Sequence, residues 1–359
     1  MNGNATKRRG KLPRIEVVDL FCGIGGLSYG LRSKGLHIHA GIDLDETCRF
    51  AYEANNEAPF IHKNIIDVAK DDILPLYHKN SIKVLAGCAP CQPFSSYAFK
   101  NKKKDSDKYD LLYQFGRLVC EVQPDIVTME NVPAIQAFKL KNVLGDFINT
   151  LQSQGYQVSC QVVYCPDYGI PQTRKRLVLL ASKMGDIKLL EPTHNKGNYL
   201  TVRDAIGNLP PLQAGQADTS DPLHRSRALS PINMRRIMAT PYGGSWKDWP
   251  AELMLDCHKR EGGKSFGSVY GRMVWEEPAP TMTTLCTGIG NGRFGHPEQN
   301  RAISAREAAL IQTFPMSYRF FPNEDEVSLS KASRYIGNAV PPRLGEVIAE
   351  SIIQHIRKN

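Results

Sequence analysis

Through the first half of the chain, apolar runs of strand length alternate with amphipathic stretches of helical length, and nothing else in the sequence limits the fold so tightly. The strands read as 16-EVVDLF-21, 37-HIHAGID-43, 83-KVLAGC-88 and 125-DIVTMEN-131. The stretches between them suit helices at 27 to 34, over ETCRFAYEAN, at 111 to 122 and at 140 to 155. Two further strands follow, 156-YQVSCQVVYC-165 and 176-RLVLLAS-182. Such alternation predicts an α/β fold, a mostly parallel sheet with helices on both faces. From about 189 to 300 the periodicity gives way to Pro, Gly and scattered aromatics (NLPPL, TPYGGSWKDWP, SFGSVYGRMVW), which predicts a smaller second domain. Helix returns at 304 to 314, where Ser304 and Glu307 have capping-box spacing and Pro315 ends the run. A last helix at 342 to 357 carries an apolar face of Leu344, Val347, Ile348, Ile352 and Ile356.

Composition narrows the class. The 359 residues are 42% hydrophobic and 23% charged, enough for a core without staples, and no apolar run approaches the ~20 residues of a membrane helix. The basic start, MNGNATKRRGKLPR, lacks the apolar stretch of a secretory signal. An odd nine cysteines, scattered, fit a reducing compartment better than a disulfide framework, so the protein is expected in the cytoplasm. A net charge of +9 favours a polyanionic partner without naming one.

Four motifs carry chemistry. Gly23, Gly25 and Gly26 follow a strand and open a helix, where a backbone can approach a ligand closely. Asp43 ends the next strand, placed to accept from both hydroxyls of a ribose. The spacing is not GxGxxG; a short glycine turn beside an aromatic, with no cradle for a pyrophosphate, favours S-adenosylmethionine over a dinucleotide. The stretch 87-GCAPCQPFSS-96 admits a zinc site, a redox pair or a nucleophile. No second CxxC or HxxxH stands at finger-like distance, so no metal is expected, and Pro90 and Pro93 hold Cys91 in a loop rather than at a helix start. Cys91 therefore reads as a nucleophile, and Cys88 as a packing residue at the end of a buried strand. The polar, basic loop SSYAFKNKKKDSDKYD is suited to close over a substrate. Glu130 in 130-ENV-132 ends another strand, and in 172-QTRKRL-177 the one-residue gap between Arg174 and Arg176 predicts that both face the same way. Together these would bring a thiol, an acid and a cation to one pocket.

DLFCGIGG, GCAPCQPFS, ENV, QTRKR, SAREAALIQTFP and YIGNAVPP, in this order over about 19 to 342, resemble the DNA (cytosine-5) methyltransferase family of the bacterial restriction-modification type. The resemblance implies a Rossmann-like S-adenosylmethionine-dependent domain at 1–188 and 316–359. It also implies a target-recognition domain at 189–300, a connecting helix at 301–315 and a DNA-wide cleft. It makes Cys91 the nucleophile, Glu130 the acid at cytosine N3, and Arg174 and Arg176 the pair that supports base and thiolate. Cofactor contacts fall on Phe21, Gly23, Gly25, Gly26, Asp43, Asn64, Ile65, Pro90, Leu111 and Asn338. Asp43 stands where Glu is frequent, and Asn64 where Asp usually accepts from the adenine amino group, with Asp67 close by in sequence. Ser95, Arg225, Arg227, Arg235, Arg236, Tyr242 and Arg272 are expected at the DNA, with Trp246 and Lys247 in the same recognition segment.

Attack on carbon 6 and methylation at carbon 5 need both faces of the ring, so the base is expected to leave the stack. No residue suggests itself as the base that removes the carbon-5 proton. The reading is a monomeric, nucleoid-associated modification enzyme that marks one cytosine of a short duplex sequence, converts S-adenosylmethionine to S-adenosylhomocysteine, and has a restriction endonuclease of the same site as its implied companion. A tRNA methyltransferase is the alternative, disfavoured by the long variable region. A catalytically inactive DNA-binding regulator is disfavoured by intact Cys91, Glu130 and Arg174.

Overall fold

The computed structural model describes residues 13–90, 106–137, 142–260 and 266–359, with no side-chain description for 106–110. Seven strands, β1 (Ile15–Leu20), β2 (His37–Asp43), β3 (Phe60–His62), β4 (Ile82–Gly87), β5 (Ile126–Asn131), β6 (Gln157–Tyr164) and β7 (Lys175–Ser182), form one sheet in the order β3-β2-β1-β4-β5-β7-β6. The pairs from β3 through β5 are parallel; β7 runs antiparallel to both β5 and β6. The expected α/β class and the mostly parallel sheet are both present. Strand order reverses between β1 and β4, and the loops leaving such a switch point diverge to open a crevice at the carboxyl ends of the strands.

Alternation along β1 divides the core in two. Ile15 and Val17 join one apolar cluster and Val18 and Leu20 the other. The first face is covered by α1 (Gly26–Ser33), α2 (Arg49–Asn56) and α11 (Pro342–Lys358). The second lies under α3 (Lys70–Ile73), α4 (Ser106–Val122) and α5 (Val143–Ser153). The apolar face expected of the last helix is buried as a unit in the first cluster. There α1 and α11 meet backbone to backbone: a Cβ on Gly30 would lie 2.2 Å from the Pro342 carbonyl oxygen and 2.7 Å from the Gly345 Cα.

The region expected to be irregular contains α6 (Val202–Ile206), α7 (Pro231–Ala239) and α8 (Asp256–Lys259), joined by turns and 3-10 segments. Its apolar residues divide. Val202, Leu223, Trp275, Met282 and Phe294 continue the first cluster, whereas Trp246, Trp249 and Leu253 form a small nucleus of their own. The chain then enters α9 (Ala305–Ile311), whose capping box is present: the Ser304 hydroxyl accepts from Glu307 N and Glu307 Oε2 from Ser304 N at 2.6 Å. Glu307 also takes both terminal nitrogens of the buried Arg301 at 2.7 Å. Finally, α10 (Leu329–Asn338) turns at Ala339 into α11. No helix among the described residues is long and apolar enough to cross a membrane.

Candidate active site

The carboxyl edge of the sheet gathers the expected cofactor residues. Beyond Leu20 the chain enters a turn with Phe21 at φ 57° and Gly23 at φ 51°. Gly23 N donates to Asp43 Oδ2 and Asp45 N to Asp43 Oδ1, each at 2.8 Å. One carboxylate thus ties the turn after β1 to the end of β2 and keeps further lone pairs for a ligand. Burial raises the Asp43 carboxyl above its usual range, against the two backbone donations. The three glycines differ. A Cβ on Gly25 would strike Asn56 at 2.2 Å and one on Gly26 the Val340 carbonyl at 2.3 Å, so those two serve helix packing. A Cβ on Gly23 would meet nothing within 4 Å. Only there does the turn face open space.

Behind the turn, Asp19 is fully buried, with Ser28 Oγ donating to Oδ2 at 2.6 Å and Oδ1 without a hydrogen-bond partner. Burial pushes its carboxyl up to about 7. An open glycine cradle, an orphaned buried acceptor and a ribose-competent carboxylate form a donor set that fits S-adenosylmethionine.

Asn64 is half-buried and its carbonyl oxygen caps the turn at Ile66 N, 3.2 Å away; Ile65 is buried and Asp67 exposed. Pro90 and Leu111 are half-buried on the loop after β4 and on α4, and Asn338 is exposed at the end of α10. Sequence reading overlooked Leu44 and Ile66, apolar side chains 62% and 50% exposed just past β2 and β3. At this edge they are candidates to flank a flat ring, and only burial data reveal them.

Glu130 lies at the same edge, second from the end of β5 and 2% exposed. Arg176 Nε forms an ion pair with Oε1 at 2.7 Å, and Cys88 Sγ donates to Oε2 at 2.9 Å. Cys88, the residue after β4 ends at Gly87, packs half-buried against the first apolar cluster as expected, and its thiol also turns to a carboxylate. Asn131, also overlooked, is buried with Nδ2 3.3 Å from the Ala89 carbonyl oxygen, binding β5 to the loop that leads toward Cys91. Cys91, Ser95 and the loop after them as far as 105 lie outside the described residues, and 106–110, read as the end of that loop, open α4.

The two arginines of QTRKR part company. Arg176 reaches Glu130, but Arg174, 2% exposed, donates to the carbonyls of Met282 at 3.0 Å and Gly337 at 3.2 Å. Gln172 reinforces that seam, accepting from Met282 N at 2.8 Å and donating to Gln312 Oε1 at 2.6 Å. Arg174 stands just before β7, which begins at Lys175, whereas Arg176 lies within the strand.

Among the residues expected at the DNA and their neighbours in the same segment, Arg272 and Trp246 are buried. Arg272 is 5% exposed and its guanidinium donates to the carbonyls of Thr240, His296, Gln299 and Ile237 and to Asn300, which leaves no N–H for a base. Trp246, 4% exposed, stacks on His258 and donates to the Phe266 carbonyl. Arg225 is half-buried. Arg227 bonds Thr287 and Ser330, both at 3.1 Å. Arg236 bonds Leu253 O and lies over the Trp249 ring. Arg235, Tyr242 and Lys247 are exposed, Tyr242 through its ring while its hydroxyl meets Glu276 and the Trp275 amide.

Residues 15–354 match the family model of C-5 cytosine-specific DNA methylases. The type II methylase M.HgiDII of Herpetosiphon aurantiacus is 54% identical over 336 residues, 94% of each chain. The type II methyltransferase M.Eco47II of Escherichia coli is 30% identical over 95% of this chain and 79% of its own. Among solved structures, a candidate DNA modification methyltransferase encoded within an E. coli prophage superposes with a TM-score of 0.72 at 22% identity, covering 95% of this chain and 99% of that one. The DNMT2 of Spodoptera frugiperda gives 0.63 at 16% identity over 96% and 100%. The chain belongs to the C-5 cytosine-specific DNA methylase family and is a DNA cytosine methyltransferase.

Proposed function

We propose that the protein methylates carbon 5 of one cytosine in a specific short duplex sequence, through a covalent adduct of Cys91 with the extruded base. The observation that carries this is Glu130: a buried carboxyl at the ligand edge of the sheet, held by Arg176 and joined through Asn131 to the loop leading to Cys91. Cys91 Sγ bonds to carbon 6 while Glu130 holds a proton at N3, so the electron pair of the carbon 5–carbon 6 double bond becomes that of an enamine. Arg176 fixes the Glu130 carboxyl and offsets the charge of the site. S-adenosylmethionine, when bound against Gly23 and Asp43, supplies the electrophilic methyl group. Loss of the carbon-5 proton then breaks the carbon–sulfur bond and restores the ring.

Both ring faces must be reached, and that requires an unstacked base. DNA recognition belongs in this reading to the segment from about 201 to 285, within a target-recognition region at 189–300 joined at 301–315 to a catalytic unit of 1–188 and 316–359, and the exposure of Arg235, Tyr242 and Lys247 supports it. In this reading the protein is a monomer acting on double-stranded DNA beside a nuclease of the same specificity, and relatives named as type II methylases support the DNA substrate.

A duplex carrying 5-fluorocytosine at the target tests the chemistry, because fluorine cannot leave as the proton does. With the cofactor the wild-type protein should form a complex that survives denaturation; no complex would overturn the adduct. Labelled methyl groups should enter duplex DNA and not tRNA.

A further inference from the structure

We propose that Cys88 is a positioning residue for Glu130, an inference that rests on the acid role just assigned. The Glu130 carboxyl projects from β5, and its terminal torsion is broad, so contact at one oxygen leaves the group free to turn. Two elements remove that freedom. From β7, Arg176 Nε holds Oε1 at 2.7 Å; from the first residue beyond β4, Cys88 Sγ donates to Oε2 at 2.9 Å. The register explains why the contact is available: Gly87 pairs with Met129 across β4 and β5, so Cys88 and Glu130 are the next residues along two neighbouring parallel strands. Glu130 is 2% exposed, so water does not replace the thiol as a second anchor.

The choice of sulfur has a chemical reason. A carboxyl that gives a hydrogen to N3 and later takes it back must not be locked in one protonation state. Hydroxyl and ammonium donors to a carboxylate make strong charge-assisted bonds, whereas S–H is a weak donor and sulfur a weak acceptor. Cys88 can therefore fix the plane of the carboxyl while perturbing its proton less than an oxygen donor would. Arg176, bound to the other oxygen, supplies the charge.

Steady-state and single-turnover methylation of a duplex target by Cys88→Val, Cys88→Ala and Cys88→Ser tests the assignment, with thermal unfolding of each variant alongside. Valine keeps the volume without the donor, and it should lower kcat roughly tenfold while KM for DNA and for S-adenosylmethionine stays within about twofold, the signature of a misplaced group rather than lost binding. Alanine should do the same. Serine restores the anchor and should recover to within about threefold of wild type, the remaining deficit reflecting the stronger O–H bond to the carboxylate. In a Glu130→Gln background, Cys88→Val should cause no further loss, because both changes act through one group. Wild-type kcat in Cys88→Val overturns the inference, as does a loss that serine fails to rescue or one that tracks thermal stability. If Glu130→Gln itself keeps wild-type activity, the acid assignment falls instead, so the two failures are distinct.

Discussion

Two buried glutamates occupy opposite ends of the same sheet, and they are held in opposite ways. Glu16, near the start of β1, is fully buried and meets five polar groups: Arg14 Nε at 2.8 Å, His39 Nε2 at 3.0 Å and His78 Nδ1 at 2.6 Å on Oε1, with His78 N and Ser81 Oγ each at 2.7 Å on Oε2. His39 reaches it through a bulge, being the extra residue of β2 where Val17 faces Ile38 and Val18 faces Ala40. Glu130, at the ligand edge, has Arg176 and Cys88 as its partners among the described residues. A carboxylate saturated with donors on every side fixes backbone and has nothing left to offer a substrate. One clamped by two groups keeps lone pairs for chemistry. The Glu16, His39 and His78 trio has metal-ligand geometry among the described residues, yet Arg14 already supplies its positive charge.

The most severe test of this contrast is Glu130→Gln, which should reduce methylation more than ~100-fold with little change in unfolding midpoint. Glu16→Gln should do the reverse, costing about 3 kcal/mol in urea denaturation because it strips charge from a buried network, with activity per folded molecule unchanged. Near-wild-type stability in Glu16→Gln would erase the distinction. Acid titration sharpens it. Burial alone would raise the Glu16 carboxyl, but donation from the His78 amide, Ser81 and His39 pulls it from an ordinary 4.5 down to about 2. A depressed folded pKa means that its stabilisation is complete above pH 4.5 and lost as pH falls toward 2. Wild type should lose stability through that window, and Glu16→Gln should lose less.

The arginines repeat the contrast with smaller stakes. Arg272 has spent every donor on carbonyls and an amide side chain, while Arg235 on α7 is exposed. Arg235→Ala should weaken duplex binding by a few-fold and, for a phosphate contact, reduce the salt slope by about one unit. A methylated motif relaxed at one base pair would make Arg235 a base reader instead.

Six of the seven strands are legible in the sequence because each is a strand-length stretch of apolar residues, continuous as in β7 or alternating with polar ones as in β2 and β6. β3 is not, since three residues, Phe60–His62, carry no period. α7 had the signals of a helix start, Ser230 before Pro231, and was hidden by the Pro and Gly texture around it. α10 hides differently, because its inward face includes Ser333 and Ala332 beside Tyr335 and Ile336. At the site, motif order brought Glu130, Arg176, Asp43 and Gly23 to one edge. It could not tell Arg174 from Arg176, or Arg272 from Arg235, since an arginine's donors are counted only once its neighbours are known. Nor could it show Cys88 turning toward Glu130, which depends on strand register.

The pairing of α1 with α11 bears on how the protein is made. Gly30 leaves a ribosome roughly half a minute before Gly345 at ~10 residues per second. Through that interval the glycine-lined surface of α1 and the adjoining face of the sheet have no cover, and Gly26 lacks the Val340 carbonyl it packs against. A nascent chain of this kind stays unable to methylate until nearly its last helix has emerged. Loss of that helix through a late stop codon should abolish methylation and leave a sticky sheet for the cell's proteases and chaperones to find.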